Sequence, residues 1–315
     1  MNKRSILLLS LLGSLLFAGP ANAAYVVGIG DQSAATFADP NWQSLKLKKV
    51  RYIVPYNAAS VGYQAEQDNA YIAAAQATRQ EVFVTFTAKR GCYSPNTGRY
   101  STKSSCKPPS KKQFSTEIKK FMKLHPSIKV YGSWNEANSA SQPTYKKPKL
   151  AADYYSATKA ACKKCTVMAG DLLDTSNLRS YAKSMVRYTK GRAKLWGLHN
   201  YGDVNRFRSS GTTTMLKTVP GSVWLTETGG LYKFARSGFK ASASRQSKAT
   251  KYMFSLAAKY DSKRKGNRSR IVRLYPYQWR AASGDAFDAG LVDLKTGAPR
   301  SAYKTFKSKV AKVKK

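Results

Sequence analysis

Two short runs carry carboxylates where chemistry can use them. Residues 132–138 read G-S-W-N-E-A-N and follow an apolar stretch containing Ile128, Val130 and Tyr131. A buried strand that stops on Asn135-Glu136 presents an amide and a carboxylic acid together at the rim of a core. That pairing suits a general acid beside a hydrogen-bond donor for a sugar hydroxyl. The second run, V-W-L-T-E-T-G-G, ends another apolar stretch on Glu227. Two strand-end acids can converge on one pocket. The chain has only five glutamates, and the other three have plainer places. Glu66 and Glu117 fall in helical patterns as solvated faces, and Glu81 begins a strand. The plain alternative for Glu136 and Glu227 is salt bridging to some of the many Lys and Arg.

Positioning these acids is the work of about eight apolar strands alternating with helices. The strands are expected around Val26, Val50–Pro55, Val82–Phe86, Val130, Thr166–Ala169, Leu195–Leu198, Trp224 and Ile271–Tyr275. Continuous apolar runs of this kind read as a parallel sheet covered on its outer face. Helical periods lie between them. Phe114, Ile118, Phe121 and Leu124 form one stripe, behind a possible Ser110/Gln113 capping box. Leu178, Tyr181, Met185 and Tyr188 form another. A doubly wound sheet is the rival architecture. Against it, Gly28-Ile29-Gly30 lacks the third glycine of a dinucleotide fingerprint. Polar residues also end nearly every strand, as expected when all the βα loops build one site. The expectation is α/β, a single (β/α)8 TIM barrel.

With the strands numbered, the pattern resembles the clan A retaining glycoside hydrolases. The likeness covers essentially the whole chain after residue 23, as short motifs rather than long matching runs. It implies that Glu136, after Asn135 at the end of strand four, is the acid/base, and that Glu227, ending strand seven, is the nucleophile. Arg51 on strand two matches an arginine kept near the nucleophile. His199-Asn200-Tyr201 matches the His-x-Tyr that often ends strand six. Trp279 matches a tryptophan floor supplied by strand eight. The implied chemistry needs the two carboxyls about 5–5.5 Å apart. Glu227 attacks the anomeric carbon, and Glu136, kept protonated by its charged neighbour, protonates the leaving oxygen. Arg51 and Tyr201 orient Glu227, Asn135 bonds the 2-hydroxyl, and Trp279 stacks on a sugar. No cofactor or metal is implied. Ala137 departs from the common Asn-Glu-Pro, which bears on subfamily more than on mechanism; the β-1,3-glucanase-like and xylosidase-like groups have the most similar motifs. Bland readings stay open: Arg51 as a core counter-ion, His199 as a packed imidazole, Trp279 as core. His125 reads as structural. Asp31, Asp171 and Asp203 lie near strand ends, with nothing to single one out.

Composition bounds the rest. Lys3 and Arg4, an apolar run to Ala18 and Ala21-Asn22-Ala23 predict a secretion signal over residues 1–23 and a catalytic domain over 24–315. No later window approaches membrane-spanning length. The net charge is +39. It says nothing of fold but predicts attraction to polyanions. Zinc-finger, RNA-recognition and P-loop patterns are absent, so nucleic acid is a weak option. In an exported chain the four cysteines suggest disulfides. Cys92 and Cys106 staple a loop that, with Tyr93 and Tyr100, shapes one end of a cleft. Cys162 and Cys165 form a local disulfide, a redox pair or half of a zinc site. Two functions follow: a secreted retaining glycosidase acting on a β-linked polysaccharide or oligosaccharide, or a non-catalytic basic barrel binding anionic cell-wall polymer.

Overall fold

A computed structural model describes residues 25–94, 97–282 and 286–313; the predicted signal over residues 1–23 lies outside them. Eight parallel strands close into one barrel. They are β1 (Val26–Val27, resumed after Gly28 as Ile29–Gly30), β2 (Lys49–Pro55), β3 (Glu81–Thr87), β4 (Val130–Gly132), β5 (Thr166–Met168, resumed as Asp171–Leu173), β6 (Leu195–His199), β7 (Gly221–Thr228) and β8 (Ser269–Pro276). Closure runs through the two interrupted strands. The first half of β1 pairs with β8 and its second half with β2. Likewise β5 pairs first with β4 and then with β6. At Gly28 a Cβ would run into the Lys49 carbonyl and the Tyr275 ring, so only glycine lets β1 cross there.

The barrel is filled from below by Phe83, Val130, Met168, Trp224 and Tyr275. A larger apolar shell lies between strands and helices. The covering helices include α1 (Pro40–Ser44), α2 (Gly62–Ala77), α3 (Lys111–Leu124), α4 (Pro148–Ala161), α5 (Leu178–Tyr188), α6 (Tyr201–Asn205), α7 (Ser210–Thr218), α8 (Ala243–Lys259) and α9 (Ser301–Val313). The capping box at α3 forms in both directions, with Ser110 and Gln113 each bonding the other's backbone N–H. The α3 stripe stops a turn early: Phe114, Ile118 and Phe121 are buried, whereas Leu124 closes the helix in solvent. Tyr188 does the same at the end of α5. A helix's last turn overhangs the sheet, so the sequence period outlasts the burial.

At the lower end Glu81 bridges Lys49 and Arg273 across three strands. Cys92–Cys106 and Cys162–Cys165 are both disulfides and no cysteine is free. Among the described residues no helix is long and apolar enough to cross a membrane.

Candidate active site

Arg51 is the hub. It sits mid-β2 with no solvent exposure, its guanidinium 5.8 Å above the Phe83 ring. Burying a cation there is costly without partners, and Arg51 has three. Nη1 donates to Glu227 Oε1, and Nη2 donates to Asp171 Oδ2 and Asn135 Oδ1, each at 2.7 Å. Burial alone would lower the guanidinium pKa; the charges of Asp171 and Glu227 outweigh it and hold the group firmly cationic. One side chain therefore ties the upper ends of β2, β4, β5 and β7 together.

The two glutamates approach from opposite directions. Glu227 lies at the end of β7, 6% exposed, with Oε2 3.4 Å from the Tyr201 hydroxyl. Glu136 follows β4 in a left-handed conformation, φ 48°, which is uncommon for a residue with a Cβ. Bonds on both sides hold it there: Asn135 N–H donates to the Phe86 carbonyl, and Ala137 N–H to that of Asp171. The turn throws the Glu136 carboxyl back over the barrel mouth, where its side chain is 22% exposed.

His199 stands between them. A register slip after Leu198 sets it opposite Glu227 in the β6–β7 pairing. Its Nδ1 is 3.1 Å from Glu136 Oε1 and 3.7 Å from Glu227 Oε2, and its Nε2 is 3.8 Å from Asp171 Oδ2. Complete burial pushes the imidazole pKa down, but Glu227, Glu136 and Asp171 together push it further up. Ligand atoms of Glu136, His199 and Glu227 lie within 4.8 Å of one another. Such a set is also conceivable for a divalent metal, yet Arg51 already puts a fixed positive charge against Glu227.

Asn135 spends its carbonyl on Arg51, which leaves its NH2 as the group available to a substrate hydroxyl. Tyr201 stays a neutral donor, since burial and the charge of Glu227 raise its phenol pKa. Trp279 departs from expectation. Its ring is 1% exposed although it borders a cavity of about 630 Å³ between β1 and β8. The indole packs edge-on against Trp42 and Tyr303 and donates its N–H to Asp39. No face is left for a sugar, and the ring serves as core where a stacking floor was expected.

Two features are not singled out by the sequence. Asp171 is a full member of the cluster: Thr226 donates to its Oδ1 at 2.6 Å, and a Cβ on Gly197 would collide with that carboxylate. The signal was an acid ending a strand with a glycine on the next one. Aromatics beside Glu227 also went unread. Tyr201 and Phe234 each meet Phe287 edge-on at 5.2 Å, with Tyr277 tilted at 6.4 Å. Tyr277 occupies the end of β8 that Trp279 was expected to fill, and the Tyr277–Gln278 peptide is cis. Asp31 and Asp203 serve locally: Asp31 accepts from Thr36 and the Trp279 N–H, and Asp203 from the first N–H groups of α7. The stapled loop reaches both sides of the mouth, Tyr100 N–H donating to Ala140 and Tyr93 accepting from Arg236.

The architecture is the (β/α)8 barrel. No family model matches the sequence and no curated protein matches it. Solved structures do. Two fungal β-1,4-galactanases are similar with a TM-score of 0.63 at 14% identity, over 89% of this chain and 98% of theirs. The GH53 catalytic domain of Ignisphaera aggregans has a TM-score of 0.62 at 12% identity, over 92% and 96%. An intracellular xylanase from Thermoanaerobacterium saccharolyticum has a TM-score of 0.57 at 13% identity, over 90% and 95%. At such identities the likeness speaks for the fold.

Proposed function

We infer that this protein is a secreted retaining glycoside hydrolase acting on a β-linked polysaccharide or oligosaccharide. The observation that carries the reading is the Glu136–Glu227 pair, with carboxylate oxygens inside 4.8 Å of one another. Retaining enzymes need their carboxyls roughly 5–5.5 Å apart; inverting enzymes need about 6.5–9.5 Å, to admit a water. The fold shared with galactanases and a xylanase supports the same class.

In the first half-reaction Glu227 attacks the anomeric carbon, and the C–O bond to the leaving sugar breaks. Glu136 gives its proton to that oxygen, so a neutral alcohol departs and a glycosyl ester remains on Glu227. In the second, Glu136 takes a proton from water, the water oxygen bonds to the anomeric carbon and the ester opens. Arg51 and Tyr201 hold the attacking carboxylate in line, and its orientation is fixed before substrate arrives. The Asn135 NH2 meets the 2-hydroxyl. His199, bonded to Glu136, keeps that carboxyl turned toward the cavity. The signal-like leader and both disulfides favour an oxidising compartment outside the cytosol, with the basic surface a candidate contact for anionic cell-wall polymer.

The test is a panel of β-linked glucans, xylans, galactans and mannans, with products sized and the first anomer observed by proton NMR. Retention gives the β anomer first. An α anomer appearing first from a β-linked substrate would overturn the mechanism.

A further inference from the structure

A cavity of about 730 Å³ opens between the ends of β2 and β3 and the stapled loop, on the C-terminal face of the barrel that also carries Glu136 and Glu227. Neither glutamate is in its wall. Tyr56 in its wall stacks at 6.2 Å on Trp134, the residue immediately before Asn135-Glu136. Asn57, Ser104 and Gln113 supply neutral polar groups, and Lys89 and Lys107 supply charge. Neither lysine meets a carboxylate among the described residues. The one acid in the wall, Glu117, is already matched by Lys120 at 2.8 Å and by the Ser60 hydroxyl.

The wall is also held in place. Cys92–Cys106 fixes the residue before Lys107, and the Pro109 carbonyl accepts from the buried Tyr154 hydroxyl. Beside it begins α3, whose first turn contains Lys111 and Lys112 and no acid. Cations there oppose the helix dipole, where carboxylates would stabilise it. Unpaired lysines set against a positive helix end cost stability unless a negative charge arrives from outside. Here Lys89 and Lys107 line a concavity on the same face of the barrel as Glu136 and Glu227.

Resting on the glycosidase reading, we propose that this cavity is a subsite for an acidic substituent on the substrate chain, a carboxylate or a sulfate. The preferred substrate is thus an acidic β-linked polysaccharide, with Lys89 and Lys107 pairing to its charge and Tyr56 lying along the sugar.

The test uses the full chain carrying Glu136→Gln and Glu227→Gln, so that binding is read without turnover. Affinity electrophoresis in carboxymethyl cellulose, cellulose sulfate and neutral hydroxyethyl cellulose compares three charges on one β-linked backbone. Adding Lys89→Ala and Lys107→Ala should weaken binding to one or both acidic gels on the order of ten-fold, and to the neutral gel much less. The gel that responds tells carboxylate from sulfate. The control removes the exposed Lys163 and Lys164 at the opposite end of the barrel, with the same change of net charge. Equal weakening in the control, equal weakening toward duplex DNA, or no binding to either acidic gel would overturn the subsite. Lysine-dependent binding by a wild-type chain that cleaves no glycan would instead sustain the subsite and remove the glycosidase reading.

Discussion

Arg51 holds together groups that would otherwise repel one another or lie unpaired. It joins Glu227, Asp171 and Asn135 in a space closed to water. Replacing it with Met keeps much of the volume but leaves two buried carboxylates without their cation. Losing one partner of a buried ion pair costs about 3–5 kcal/mol, and denaturant midpoints should register a loss of that size. Arg51→Lys keeps the charge but not the planar fork that reaches three acceptors. It should fold and lose kcat far more than KM, because Glu227 would no longer be aimed. A full-activity Arg51→Lys enzyme would show that the fork has no part in orientation. At this scale the sequence was informative about residue type and poor about geometry. Glu136, Glu227, His199 and Tyr201 were legible because charged or polar residues ending apolar runs are conspicuous, and Arg51 because a charge inside such a run is. Trp279 was misread because which aromatic faces the cavity depends on the path of the chain after β8, which periodicity does not encode. Asp171 lay in plain view, but only the notch at Gly197 tells a buried partner of Arg51 from a solvated strand end.

Among the elements, the stapled loop between β3 and α3 carries the clearest mechanical role. Cys92 and Cys106 are separated by 14 residues, Cys162 and Cys165 by 3. Closing the longer loop is worth about 3 kcal/mol in chain entropy, and the shorter one roughly 1 kcal/mol less. Cys92→Ser/Cys106→Ser should thus lower stability more than Cys162→Ser/Cys165→Ser, and should expose the loop to proteolysis. Equal losses would mean that the loop is held by its contacts with Ala140 and Arg236 instead. The eight strands and the principal helices were legible because a parallel barrel repeats one simple pattern: a β-branched run, a polar end, an amphipathic stretch. The interruptions of β1 and β5 were not. They arise from packing against the neighbouring strand, and Gly28 shows its reason only once Tyr275 and Lys49 are alongside.

For the molecule as a whole, charge and burial act in different ranges of pH. Burial raises Asp31, Asp68 and Asp174 from the ordinary aspartate value to about 6, with the charge of Asp203 adding to Asp174. His199 is also raised, its carboxylate neighbours overcoming burial. In all four the folded state binds the proton more tightly than the unfolded chain, so stability falls as pH rises. The aspartates lose it between about pH 4 and 6, and His199 above its unfolded value of about 6.5. His125 runs the other way, burial pushing its pKa down so that stability is gained as pH rises toward 6.5, but it is one group against four. The Tm should be higher at pH 5.5 than at pH 8, and Asp68→Asn, which still accepts from Tyr52, should shrink the difference. A Tm that climbs toward pH 8 would contradict this balance. The closed barrel brings Glu136 after β4 and Glu227 on β7 together, and the proposed mechanism sets them on opposite sides of one sugar carbon. Azide rescue reads that arrangement directly, using an activated aryl β-glycoside of the preferred sugar. Glu227→Ala with azide should yield the α-glycosyl azide, and Glu136→Ala with azide the β-glycosyl azide, each variant being nearly inert without it. The same anomer from both variants, or full turnover by either one unaided, would contradict the account.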